Sequence, residues 1–392
     1  MLTSRRILII ASGLFTLVLL QSCGTDPAIK YYNMGIDAAE MNDLDTAIRY
    51  WKESIKHNPK LPDTRYNLGL ALLEKKRYEE AEQQFREAAR LKSGDYEIYY
   101  GLGKSLEMEG NFSSAKRYYE KALNLKPTYI PAVVGMASVE LKRNLDSSAE
   151  KYATIALRLD RRNLDANIIL AESYFREGKY QESYVQALTG LRYYPRNPDL
   201  LLIYGKAAYE RRMYADAIDA LKSAKDTGKL TDDLFRYLGL TYMAMGDMSK
   251  AETNLKLSIY KNRENKESWK SLADLYIESK KYDKALDACL QAELIDSLDA
   301  ETMLKEGYVY LKIGKYKTAI EKLERSVQDE NTPIVAWYYL GLAYAKGGRR
   351  SESAEALEKF IDKWHGEASL TESAEKLLDA LKANSNSDRE MK

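Results

Sequence analysis

Between Tyr96 and Tyr129 the chain reads YEIYYGLGKSLEMEGNFSSAKRYYEKALNLKPTY, and the spacing of small and large apolar residues in it recurs everywhere else. Numbered one to thirty-four, Tyr99 is fourth, Leu102 and Gly103 seventh and eighth, and Leu106 eleventh. Ala115 is then twentieth, Tyr119 twenty-fourth, Ala122 twenty-seventh and Pro127 thirty-second. The first four lie on one face of a helix and the next three on one face of a second, so two helices share a seam. Gly103 and Ala115 are small because the two axes cross closest there, and an added side chain would overpack the crossing at a cost of about 1–3 kcal/mol. Gly110-Asn111 breaks the first helix, Phe112 packs as the second begins, and Pro127 stops the second.

Steps of thirty-four from Gly103 land on Gly35, Gly69, Ala137, Ala171, Gly205, Gly239, Ala273, Gly307 and Gly341. The twentieth position reads Ala47, Ala81, Ala115, Ala149, Ser183, Ala217, Ala251, Ala285, Ala319 and Ser353, again small throughout and with no insertion from Ala28 to Glu367. This pattern resembles the tetratricopeptide repeat (TPR) family, position for position. The resemblance implies an all-α fold, a right-handed superhelical solenoid of about ten helix-turn-helix repeats over 28–367. Leu370, Ala374, Leu377, Leu378 and Leu381 predict a capping helix over 368–382, since the last repeat would otherwise expose its seam. The polar 383–392 reads as a disordered tail. A stack of this kind needs no central core, which suits a chain of 392 residues.

Two local expectations follow. Asp95, Asn163, Asn197, Thr231, Asn265 and Asp299 each stand just before a repeat and can cap the incoming helix, at about 1 kcal/mol each. The fourth repeat has Arg161 where the proline belongs and Asp146 where the aromatic belongs, which predicts an irregular turn between its helices.

Sixty basic and fifty-nine acidic residues are spread along the chain, without the basic stripe of a nucleic-acid footprint. His57 and His365, the only histidines, are far apart, so a histidine metal site or a Ser-His-Asp triad has little to build from. No cofactor motif accompanies a strand. Cys289 falls at a twenty-fourth position, where a buried core thiol is expected.

The chain opens with Arg5-Arg6 and an apolar run from Ile7 to Leu20, a secretory signal over 1–22 that is shorter than the roughly 20 residues of a membrane span. Leu20-Gln21-Ser22-Cys23 resembles a bacterial lipobox, which implies cleavage before Cys23, acylation of Cys23 and a short linker over 23–27; an uncleaved signal anchor is the other reading. Gly24 in place of aspartate points to the outer membrane, facing the periplasm.

The TPR resemblance places positions two, five, nine, twelve and thirteen on a concave surface. Position five carries Tyr32, Tyr66 and Tyr100, then Val134, Ile168 and Leu202, then Arg236, Lys270, Leu304 and Tyr338. This reads as an aromatic third, an aliphatic middle and a basic zone around Arg236 and Lys270. Lys104 and Lys206 add position nine, Phe175 and Tyr209 position twelve, and Arg176 position thirteen. Tyrosine suits peptide contacts, though it is also common at position five for structural reasons. Position two carries an acidic column, Asp63, Glu97, Asp165, Asp199, Asp233, Glu267 and Glu301, which complements the helix dipoles. It also lacks the basic residue with which TPR adaptors clamp acidic chaperone tails. The expected function is a lipid-anchored scaffold for protein or peptide partners in envelope assembly, resembling secretin pilotins and exopolysaccharide-export lipoproteins. An adaptor for peptidoglycan enzymes or proteases is the alternative, and a groove enzyme, a nucleic-acid partner, a small-molecule substrate, a metal and a cofactor are not expected.

Overall fold

A computed structural model describes residues 26–390, with side chains to Lys382. The signal segment, Cys23 and Gly24 lie outside the described residues. The first repeats are α1 (Pro27–Glu40) with α2 (Leu44–His57), α3 (Pro62–Glu74) with α4 (Tyr78–Leu91), and α5 (Tyr96–Met108) with α6 (Phe112–Leu125). There follow α7 (Ile130–Lys142) with α8 (Asp146–Leu159), α9 (Leu164–Arg176) with α10 (Tyr180–Tyr193), α11 (Pro198–Glu210) and α12 (Tyr214–Asp226). The chain continues as α13 (Asp232–Ala244) with α14 (Met248–Lys261), α15 (Lys266–Glu278) with α16 (Tyr282–Ile295), and α17 (Ala300–Lys312) with α18 (Tyr316–Ser326). It ends in α19 (Val335–Lys346) with α20 (Arg350–Lys363) and α21 (Ala368–Glu390). No strand occurs among the described residues. The contacts divide the chain into two compact units that meet in sequence between Ala207 and Ala208.

The small residues face each other as the spacing requires. Ser183 and Ser353, at the twentieth position, donate their hydroxyls to the carbonyls of Ala171 and Gly341, at the eighth, at 2.8 Å each. What fills the remaining space is the side chain at position twenty-four: a Cβ on Gly103 would lie 2.6 Å from the Tyr119 ring, and one on Gly69 2.8 Å from Phe85. The same ring reaches the next repeat, since a Cβ on Gly135 would lie 2.5 Å from Tyr119 and one on Gly101 2.5 Å from Phe85. Each aromatic is thus clasped between two glycines, one of its own repeat and one of the next. Where position twenty-four shrinks to Ala153 or Ala187, the facing residue of the next repeat grows to Ile169 or Ile203, and each pair shares a buried cluster.

Every turn inside a repeat is built alike. In the third, the Gly110 N–H reaches the Glu107 carbonyl and the Asn111 N–H the Leu106 carbonyl, the paired bonds of a Schellman ending. That ending needs a left-handed residue at position fifteen, and all ten have one: Gly110, Gly178, Gly246, Gly314 and Gly348, with Asn42, Asn144, Lys76, Arg212 and Lys280. The fourth repeat is no exception. Asn144 adopts φ 57° and its turn makes the same two bonds, so the expected irregularity is absent. Asparagine tolerates the left-handed region, and the backbone bonds, unlike the missing aromatic, define the turn.

All six predicted caps form. The side chains of Asp95, Asn163, Thr231, Asn265 and Asp299 accept from the first turns they precede, and Asn197 accepts from Asp199 and Leu200. At the other end Leu370, Ala374, Leu377, Leu378 and Leu381 of α21 pack on Leu357 and Phe360, covering the last seam. The helix runs on to Glu390 through the stretch expected to be disordered. Ala383 to Glu390 contains neither glycine nor proline, so nothing stops propagation of a helix already nucleated by packing.

Position fifteen supplies a stability test. Gly246→Ala puts a Cβ into a left-handed turn and should cost about 1 kcal/mol, whereas Lys280→Gly relieves the same strain and should leave the melting temperature unchanged or raised. Thermal unfolding followed by circular dichroism checks both, and equal losses in the two variants would contradict this account of the turn.

Candidate functional site

In the first unit, first helices of successive repeats touch one another directly, α3 with α5, α5 with α7 and α7 with α9. No pair of successive second helices makes comparable contact there, so this stack curves toward the first-helix side. On that inner side lies a cavity of about 560 Å³. Helix α5 contributes Tyr100, Lys104 and Glu107, α7 contributes Val134, Ser138 and Lys142, α9 contributes Asp165 and Ile169, and Tyr119 of α6 closes the floor.

At its centre is a carboxylate with almost no exposed surface. The Glu107 side chain is 1% exposed and accepts four hydrogen bonds: from the Tyr119 hydroxyl at 2.7 Å, Ser138 Oγ at 2.7 Å, Lys142 Nζ at 2.7 Å and Lys104 Nζ at 3.1 Å. Burial favours its neutral form, but the Lys104 charge and the bonds from Lys142, Tyr119 and Ser138 outweigh that and hold its pKa at about 2. The two lysine side chains are 37% and 41% exposed. One carboxylate therefore orients two ammonium groups at the cavity wall, each with donors left for something else. Beside them Tyr100, Val134 and Ile169 offer an apolar and aromatic surface. Such a cavity can hold a side chain and an anionic group together. It contains no histidine or cysteine to serve as base or nucleophile, and no group of three or more metal-ligating residues occurs among the described residues.

Of the residues expected on the inner face, Tyr100, Lys104, Val134 and Asp165 come together here. Tyr100 is half-buried against Tyr119 and Tyr129, with ring centroids 5.8 and 5.6 Å away. Tyr32 is also half-buried, and its hydroxyl accepts from Asn67 at 3.4 Å. Tyr66, expected between them on an aromatic shelf, is a core residue 8% exposed and set edge-on to Phe85. The ring of Phe85 leaves room beside it that a position-five tyrosine fills, so the shelf is interrupted. Phe175 lies under Lys206 Nζ at 4.4 Å, and Arg176 reaches back to the Leu141 carbonyl and the Asp146 carboxylate, tying two repeats.

In the second unit the expected basic zone is neutralised. Lys270 is 6% exposed and ion-paired with Glu267 at 2.9 Å and Glu301 at 2.5 Å, while Arg236 pairs with Asp233 at 3.1 Å and lies over the Tyr237 ring. The acidic column at position two stands one turn before position five, so each cation there meets a carboxylate on its own helix. Tyr209 packs on Tyr214 and Tyr237, and Tyr338 on Phe360 beneath α21. Sequence reading passed over Glu107, Ser138 and Lys142. Their signal was present, since they occupy positions twelve, nine and thirteen of the inner face. A buried glutamate at such a position marks its neighbours as a network.

Two family profiles described as tetratricopeptide repeat match the chain, one at residues 32–96, 184–229 and 304–368 and the other at 96–129, together more than half of it. Among solved structures it is similar to a tetratricopeptide repeat protein from Parabacteroides merdae ATCC 43184 (16% identity, 64% of this chain and 100% of that one, TM-score 0.51). It is also similar to a chain of the APC/C hetero-tetramer Cut9–Hcn1 (13% identity, 90% and 96%, TM-score 0.49) and to Pseudomonas aeruginosa pilF (16% identity, 53% and 95%, TM-score 0.47). No curated protein matches it.

The Glu107 network should be visible in the acid limb of stability. Its folded pKa of about 2 lies below the ordinary 4.5, so the stabilisation is fully present above pH 4.5 and is lost as pH falls toward 2. Glu107→Gln should cost about 2 kcal/mol at neutral pH, less than a fully buried pair because the lysines reach solvent. It should also flatten the dependence of melting temperature on pH below 4.5. An acid limb identical to that of the wild type would show the carboxylate to be uninvolved.

Proposed function

We propose that this chain, which belongs to the tetratricopeptide repeat family, is a lipid-anchored scaffold that grips protein partners on the inner face of its repeats at a bacterial envelope membrane. Folds of this family serve protein–protein interaction. The single observation that carries the reading to a site is the cavity of repeats three to five, where Lys104 and Lys142 are held on Glu107 beside Tyr100. A partner segment laid along α5, α7 and α9 would seat an apolar side chain against Tyr100 and Val134 and an acidic group on the lysines. The protein acts by holding, not by catalysis, and the assembly it serves is an envelope machine such as a pilus, a secretin or an exopolysaccharide exporter.

The anchor rests on Leu20-Gln21-Ser22-Cys23, with the outer membrane, periplasmic side, as the favoured location. Cys23→Ala should leave the protein unacylated and shift it from the membrane to the soluble envelope fraction, or leave its signal uncut; membrane partition and cleavage like those of the wild type would rule the lipobox out.

Affinity capture from envelope membranes followed by mass spectrometry tests the groove. Lys104→Ala, Lys142→Ala and Tyr100→Ala should each lose the same discrete partners, with a loss of about tenfold or more for a residue that acts as a hot spot. Capture by wild type should weaken with salt, while helicity stays unchanged in all three variants. Full retention of partners by folded variants would move recognition to another face.

A further inference from the structure

A second groove lies on the outer side of the second unit, between α14 and α16, and it encloses about 430 Å³. Its floor is apolar: Ile259, Trp269, Leu272, Tyr276 and Ala288. The indole N–H of Trp269 is satisfied by the Arg263 carbonyl at 2.9 Å, so the half-buried ring has no polar need left to meet. The repeats four and five of the first unit form the corresponding groove, about 470 Å³, but line it differently. There Asn167 stands where Trp269 does, Gln186 where Ala288 does, and the two are hydrogen-bonded at 2.8 Å. The hollow is thus a by-product of stacking, lined by apolar residues at repeats seven and eight and by hydrogen-bonded amides at repeats four and five.

The surface around the groove is apolar as well. On α14 and α16 Tyr260 is 73% exposed, Leu290 44% and Leu294 79%, and Leu298 just beyond is 78% exposed. A patch of large side chains left in water, continuous with a concave floor, is the mark of an interaction surface. On the rim, Lys284 lies over the Tyr276 ring at 5.6 Å, and neither Lys284 nor Asp287 makes an ion pair among the described residues.

We infer that this groove docks an amphipathic α-helix of a protein partner, its apolar stripe on Trp269 and Leu294 and its flanks carrying one acidic and one basic residue for Lys284 and Asp287. Three observations select that occupant. The backbone groups of α14 and α16 are spent within their own helices, so an extended segment would find no main-chain partners, whereas a helix brings its own. The concave floor accepts side chains that a flat lipid surface lacks. The rim is close to neutral, with Lys256 paired to Glu252 at 2.6 Å and Lys284 set off by Asp287, where an anionic membrane would call for a net basic border. This surface is separate from the inner face, and its occupancy does not depend on the reading of Lys104 and Lys142.

The probe is a panel of synthetic peptides of about 18 residues, five helical turns, with leucine, isoleucine or phenylalanine on one face and mixed charges on its flanks. Each is paired with a scrambled peptide of equal composition. Binding to the full chain is read from the indole resonance of Trp269, assigned through Trp269→Phe, and by calorimetry. Amphipathic peptides should shift that resonance and the scrambled ones should not. Trp269→Asn, which installs the residue of the fifth repeat, and Leu294→Glu, on the exposed rim, should each weaken binding about tenfold or more with melting unchanged for Leu294→Glu. The inference falls if no peptide binds or if scrambled peptides bind equally. It falls too if Leu294→Glu abolishes only self-association of the chain, or only binding to vesicles of anionic lipid.

Discussion

Everything in this molecule depends on one steric fit repeated along the stack, the side chain at position twenty-four lodged between a small residue of its own repeat and the sixth residue of the next. It bears on both the angle inside a repeat and the spacing between repeats. The fit conserves volume rather than identity. Phe85 and Tyr119 are each flanked by two glycines, and Ala153 and Ala187 are met by isoleucines. Leu255, Leu323 and Leu357 crowd Gly239, Gly307 and Gly341 in the same way. Close-packed interiors tolerate such exchanges when the total is kept, which is how one backbone plan accommodates such different residues.

Charge follows a second rule. A cation that reaches inward from a first helix meets the carboxylate one turn earlier or one on an adjacent repeat, as Lys270 meets Glu267 and Glu301. Lys305 likewise lies between Asp274 and Glu301. The inner face of the second unit is therefore charged in composition and nearly neutral in effect. At Glu107 of the first unit a buried carboxylate is instead outnumbered by two lysines, and a local imbalance survives.

The repeat, the six caps and the closing helix were legible because each rests on a local spacing of residue types, whereas the turn of the fourth repeat was not, because its backbone bonds do not depend on the missing aromatic. The aromatic shelf was not, because position five points toward the inner face and toward the core at once. Whether Tyr66 or Tyr100 is buried or half-exposed is decided by the ring that faces it from the preceding or following helix. Lys270 differs from its sequence reading for a related reason: the carboxylates that neutralise it, Glu267 one turn earlier and Glu301 in the next repeat, stand at position two and not at its own position.

Tyr119 belongs to both systems. Its ring is the wedge that joins the third and fourth repeats, and its hydroxyl donates to Glu107 in the wall of the cavity. The residue that fixes the spacing of repeats three and four therefore also fixes where the floor of the cavity stands relative to its carboxylate.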